Sequence, residues 1–181
     1  MTKTINSRNK GAAGEREFAG LIADHLGVRM VRNLVQAREG GCDLVVHPDA
    51  IGPVADDLRA FAIEVKRCAR ATESTLRGFW QQATEQADST GKLPLLAYRE
   101  DRQGWRVMMP LGLLVAELAD WNDWRYTVAL SVEGFSAVIR ESAAGGVSHK
   151  GEAGDKTFVE GPSDRAPPLF LRGQNCEFQN Q

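Results

Sequence analysis

The chain has 181 residues, 43% of them hydrophobic and 25% charged, with a formal net charge of -2. That length suits one domain with a proper core, and the near-neutral charge excludes the overall basicity that would advertise a nucleic-acid partner. The distribution is uneven, however: Lys3, Arg8, Lys10, Arg16, Arg29, Arg32 and Arg38 crowd the first forty residues, so a local basic face is compatible with a mildly acidic whole. Cys42, Cys68 and Cys176 form no CxxC pair and read as reduced thiols in a cytoplasmic compartment, not as a disulfide frame or zinc site. The N-terminus has no signal-peptide core, and no apolar run approaches the roughly 20 residues that span a bilayer, so a soluble protein without a membrane partner is expected.

Taken in order, residues 1–9 are polar, and a helix is predicted from about Gly11 to Leu26, stopped by Gly27. Phe18, Leu21, Ile22 and Leu26 keep helical spacing; Glu15 lies along the edge of that stripe and Glu17 points away from it. Val28 to Leu34 alternates as a strand, and the Gly40-Gly41 pair marks a loop. A second strand, Cys42 to His47, opens with Asp43 directly after the glycines, where a backbone can approach a ligand closely. Residues 48–60, with Pro48, Gly52 and Pro53, read as a long connection.

The next stretch, Phe61-Ala62-Ile63-Glu64-Val65-Lys66-Arg67-Cys68, has the two-residue period of a half-buried strand. Phe61, Ile63 and Val65 fall on one side, and Glu64 with Lys66 on the other. A carboxylate and an ammonium two residues apart on a rigid strand suit holding a metal with one and a reacting water or phosphate with the other. The same pair also suits a plain solvated surface, and the acids upstream tip the balance toward chemistry.

A second helix is predicted from about Thr75 to Ser89, with Leu76, Phe79, Trp80, Ala83 and Ala87 inward and Gln82 and Gln86 one turn apart on its flank. Leu93 to Tyr98 and Trp105 to Met109 read as strands, Leu111 to about Leu118 as a third helix, and Tyr126 to Leu130 as a short strand. Ser131 is placed to cap a last helix with Val132, Phe135, Val138 and Ile139 on one face. From Ala144 the composition turns to Gly, Ser, Glu, Asp and Pro. This divides the chain into a folded domain at 1–143 and a disordered tail at 144–181, with Pro167 to Leu171 as the tail's one apolar patch.

The order is a helix with Glu15, two strands with Asp43 opening the second, a strand with Glu64 and Lys66, then a helix with Gln82. In that order the chain resembles the PD-(D/E)XK nuclease superfamily, and within it the archaeal-type Holliday junction resolvases and their phage relatives. The stretches that carry the likeness are Lys10-Gly11-Ala12-Ala13-Gly14-Glu15-Arg16-Glu17, Gly40-Gly41-Cys42-Asp43-Leu44, Ala62-Ile63-Glu64-Val65-Lys66-Arg67, Trp80-Gln81-Gln82-Ala83 with Gln86-Ala87, and Pro94-Leu95-Leu96-Ala97-Tyr98-Arg99. It covers about residues 8–110. Cys42 stands where the family's name has proline, and the Gly40-Gly41 loop has no serine where the archaeal resolvases carry one.

The resemblance implies a restriction-endonuclease-like α/β fold, with a mixed central sheet of about five strands flanked by helices. It implies catalytic roles for Glu15, Asp43, Glu64 and Lys66. The metal would be held by Glu15, Asp43, Glu64 and the carbonyl of Val65, with Mg²⁺ as the ion and Mn²⁺ able to replace it. Arg8, Lys10, Arg32, Arg38, Arg67, Gln82 and Gln86 would contact DNA. The expected activity is a structure-selective endonuclease, a phage-type Holliday junction resolvase acting in the bacterial or infected-cell cytoplasm. Paired incisions would require a homodimer, and some of Leu113, Leu114, Trp121, Trp124, Phe135 and Ile139 are expected to supply its contact, the rival being that they cap the sheet of one subunit. A restriction- or repair-type nuclease and a non-catalytic DNA-binding module on the same scaffold are the rival readings. Zinc chemistry is disfavoured because His25, His47 and His149 are scattered, and Gly11-Ala12-Ala13-Gly14 lacks the Lys-Ser/Thr of a phosphate loop.

Overall fold

The strand β3 (Phe61–Cys68) runs through the middle of a six-stranded sheet whose strands lie in chain order. In the computed structural model, residues 7–33, 41–115 and 123–145 are described, with side chains from residue 10 onward. The elements are α1 (Ser7–Leu26), β1 (Met30–Arg32), β2 (Leu44–Val46), α2 (Pro53–Arg59), β3, α3 (Glu73–Thr90), β4 (Leu93–Glu100), β5 (Trp105–Pro110), β6 (Thr127–Ser131) and α4 (Val132–Gly145). All neighbours pair antiparallel except β3 and β4, which are parallel and joined across the sheet by α3. A parallel pair needs such a crossover, whereas antiparallel neighbours close through short turns.

Helices cover both faces. On one, α1, α2 and α4 bury Phe18, Ile22, Leu58, Phe135 and Ile139 against Phe61, Ile63, Val65, Leu95, Val107 and Met109. Phe61 meets Phe135 edge-on with ring centroids 6.1 Å apart, and Phe18 lies 5.4 Å from Trp105. On the other face, α3 sets Trp80 and Ala83 against Leu96, Tyr98 and Met108, and Ala87 against Ala62 and Cys42. Thr72 caps α3 by accepting from the Thr75 N–H, and Gly91, at φ 62, ends it in the left-handed conformation that glycine adopts without strain.

The mixed sheet stands as expected, with six strands, the last being the short strand read near Tyr126 to Leu130. Other expectations are corrected. The connection at 48–60 contains the helix α2, with Pro53 in its first turn, where the missing N–H leaves no bond unmade. The stretch after Pro110 starts as a 3-10 turn, Leu111–Leu113, and not as an α-helix; residues 116–122, Trp121 among them, lie outside the described residues. Phe135 and Ile139 are wholly buried in the core and so are unavailable to a partner. Leu113 packs against the same core and Trp124 against the smaller one, while Leu114 remains 44% exposed. The last helix runs to Gly145, so the first two residues of the expected tail are helical, and residues 146–181 lie outside the described residues. No helix among the described residues is long and apolar enough to cross a membrane.

Candidate active site

The alternation of β3 turns Glu64 and Lys66 toward α3 while Ile63 and Val65 anchor the strand in the opposite core. Glu64 is only 1% exposed, and its Oε1 is ion-paired with Lys66 Nζ. The Lys66 ammonium also stands 5.8 Å from the centre of the Phe79 ring on α3. Burial, and then the charge of Asp43, push the Glu64 carboxyl up to about 7, against the opposing pull of Lys66 and of the Gln86 amide. Glu64 Oε2 and Gln86 Oε1 are both buried and make no hydrogen bond of good geometry among the described residues.

Asp43 is placed by the point at which β2 and β3 part. Its N–H donates to the Ile63 carbonyl at 2.8 Å and its carbonyl accepts from the Asn33 N–H at 2.9 Å. Its side chain then does what a strand partner would otherwise do: Oδ2 accepts the Val65 N–H at 2.8 Å. A strand residue points its N–H and C=O to the same side, so the Val65 carbonyl is directed toward the edge where Asp43 sits. Just upstream, Gly41 has φ 127, a backbone that side-chain-bearing residues rarely adopt.

The other predicted residues divide. Glu15 reaches the sheet from α1, but its carboxylate is ion-paired with Arg32 Nε. Among the described residues no group of three acids, histidines or cysteines is assembled as a ready metal set, so Asp43 and Glu64 come together without Glu15. Lys10 pairs with Asp101 at 3.5 Å. Arg67, one step past Lys66, has the opposite parity and runs beneath α1; a methyl on Gly14 would stand 2.9 Å from its Cδ. Glu17, expected to point away, is instead paired with Arg99 of β4. Gln82 is exposed, whereas Gln86 turns in toward Glu64. The side chain of Arg8, and all of Arg38, lie outside the described residues. Phe79 was read from the sequence only as core. Its helical spacing of seven from Gln86 was the signal that both overhang one site.

These groups fit a divalent cation. The Asp43 and Glu64 carboxylates, the Val65 carbonyl and the orphaned Gln86 Oε1 make an oxygen-only donor set, the kind hard ions such as Mg²⁺ select. An acid held near neutral with a lysine against it is also a typical sign of chemistry.

Asp43 and Lys66 both bear on Glu64 within a mixed sheet, the grouping expected of a PD-(D/E)XK nuclease. The chain belongs to the phage PDDEXK endonuclease family, whose model matches residues 6–139. Among solved structures it is similar to the Hjc Holliday junction resolvase of Archaeoglobus fulgidus, at 19% identity and a TM-score of 0.41, covering 71% of this chain and 96% of that one. No curated protein matches it in sequence.

Proposed function

We propose that this nuclease is a divalent-metal-dependent DNA endonuclease, working with Mg²⁺ and able to use Mn²⁺, that cuts branched DNA and four-way junctions in particular. The observation that supports the metal site best is the Asp43 carboxylate on the Val65 N–H, beside a buried Glu64 whose second oxygen has no partner. Junction DNA is favoured by the likeness of residues 8–110 to the archaeal-type resolvases.

In this reading Asp43, Glu64 and the Val65 carbonyl would hold the ion, with Glu15 joining from α1. When bound, the ion would acidify a water and offset charge on the scissile phosphate. Glu64 must be ionised to bind, so binding below about pH 7 releases its proton. Lys66 orients the attacking water and places positive charge where the pentavalent phosphorus centre becomes most anionic. Lys10, Arg32, Arg67 and Gln82, with Arg8 and Arg38, supply the DNA contacts. Gln86 acts on Glu64, and any contact it makes with DNA is secondary. Symmetric incision of a junction calls for two copies of the chain, and Leu114 and Val115, at 44% and 39% exposed, lie on the surface available for pairing.

The test is cleavage of labelled four-way, flap, nicked and linear duplex DNA with Mg²⁺, Mn²⁺ or EDTA. Paired cuts in the four-way substrate, absent in EDTA, are expected. Preference for linear duplex would move the assignment to a restriction- or repair-type enzyme, and no cleavage of any substrate would remove it.

A further inference from the structure

The pairing of Glu15 with Arg32 sets a predicted metal ligand against a predicted phosphate contact. The pair is poorly solvated, with Glu15 13% and Arg32 35% exposed. Arg32 ends β1 opposite Leu44, and the next residue, Asn33, bonds the Asp43 carbonyl. Arg32 thus stands across β1–β2 from the residue that follows Asp43.

Fixing α1 to the sheet does not require it. Phe18 and Ile22, both wholly buried, anchor α1, and Glu17–Arg99 and Lys10–Asp101 tie the same helix to the far strands. Arg32 also lines a groove of about 360 Å³ between α1 and β1, together with Arg16 and Arg29 and no acidic residue. Among the described residues the side chains of Arg16 and Arg29 are in no ion pair. Three guanidiniums meet one carboxylate there, and the surplus positive charge favours an incoming phosphate.

We infer that the Glu15–Arg32 pair is a latch: it keeps Glu15 off the cation until a DNA phosphate in the α1–β1 groove takes Arg32. This rests on the nuclease reading above. Once Arg32 turns to the phosphate, Glu15 is a largely buried charge without a partner, which is costly unless it finds another cation. An ion held by Asp43 and Glu64 would be a partner for it. DNA and metal then each strengthen binding of the other, by the same factor in both directions. Without DNA the site is held short of one ligand, which restrains cutting of the wrong substrate.

The test is calorimetric titration of the full chain with Mn²⁺ alone, without DNA, for wild type, Arg32→Gln, Glu15→Gln and the double variant. Arg32→Gln is expected to tighten Mn²⁺ by about fivefold or more, the lower end of usual coupling strengths. The double variant should bind as Glu15→Gln does. Arg32→Lys, which keeps the charge, should fall between wild type and Arg32→Gln, and it covers the case in which Arg32→Gln folds poorly. Unchanged or weaker Mn²⁺ binding in both Arg32 variants, with wild type binding and cleaving normally, overturns the latch and leaves the nuclease. An equal gain in the Glu15→Gln background also overturns it. A wild type that neither binds Mn²⁺ nor cleaves removes the latch and the nuclease reading together.

Discussion

The two faces of β3 divide the work of the molecule. Toward α1, α2 and α4 the strand presents Phe61, Ile63 and Val65, large apolar groups packed to near-zero exposure. Toward α3 it presents Ala62, Glu64 and Lys66, and α3 answers with Ala83, Ala87, Gln86 and Phe79. The first face buries enough apolar surface to hold the strand rigid. The second uses that rigidity to keep an acid at 1% exposure beside a second acid, an arrangement that opposes folding. One strand thus carries both the stability and the strain, separated only by side-chain parity.

The comparison breaks most visibly if the apolar face is hollowed. Phe135→Ala should lower unfolding free energy by about 3–5 kcal/mol in a urea titration, while the rate per folded molecule stays within a factor of two. A change in rate without one in stability would mean that the faces are not separable.

The opposite sign is expected on the other face. Because the folded-state Glu64 carboxyl lies at about 7 against an ordinary 4.5, the folded protein binds the extra proton between those values. Its metal-free stability should therefore fall as pH rises through that window and level off above it. Glu64→Gln removes the fall. In EDTA at pH 8 it should be more stable than wild type by about 3 kcal/mol at most, and near equal at pH 4. A destabilised Glu64→Gln at pH 8 would show that the carboxylate is satisfied as it stands.

Lys66→Ala should slow cleavage by about a hundredfold with little change in metal affinity, in line with loss of one charge-stabilising group. A shift confined to the Mg²⁺ dependence would make Lys66 a structural partner of Glu64. The smallest effect is expected at Phe79, whose ring borders the ammonium. Phe79→Leu should cost about threefold in rate and Phe79→Tyr should restore it, the scale of an exposed cation–π contact.

Much of this was legible because strand parity is unforgiving. The period of two in Phe61–Cys68 separated Phe61, Ile63 and Val65 from Glu64 and Lys66, and it also sets Arg67 on the opposite side from Lys66. The placement of Asp43 followed from the glycines that precede it. Less legible were features set by tertiary partners. Pro53 looked like a loop residue, although proline is equally at home in a first helical turn. Glu15 showed its edge position but not Arg32, because no local pattern encodes a pairing between a helix and a strand 17 residues apart. Gln86 sat on the right flank of its helix, yet only the packing of α3 on β3 turned it to Glu64. The last helix was correctly placed, but an apolar stripe is the same whether it meets a partner or the chain's own sheet, and Phe135 and Ile139 meet the sheet.

The central claim is that Asp43 and Glu64 together make the cation site that cuts DNA. Its most direct test is to titrate Mn²⁺ into wild type, Asp43→Ala and Glu64→Ala while following cleavage of a labelled four-way junction by the same preparations. Each variant should keep its fold, lose Mn²⁺ binding and cut at least a thousandfold more slowly, as expected when a charge-stabilising centre is removed. A variant that retains wild-type metal affinity or wild-type cleavage would contradict the account.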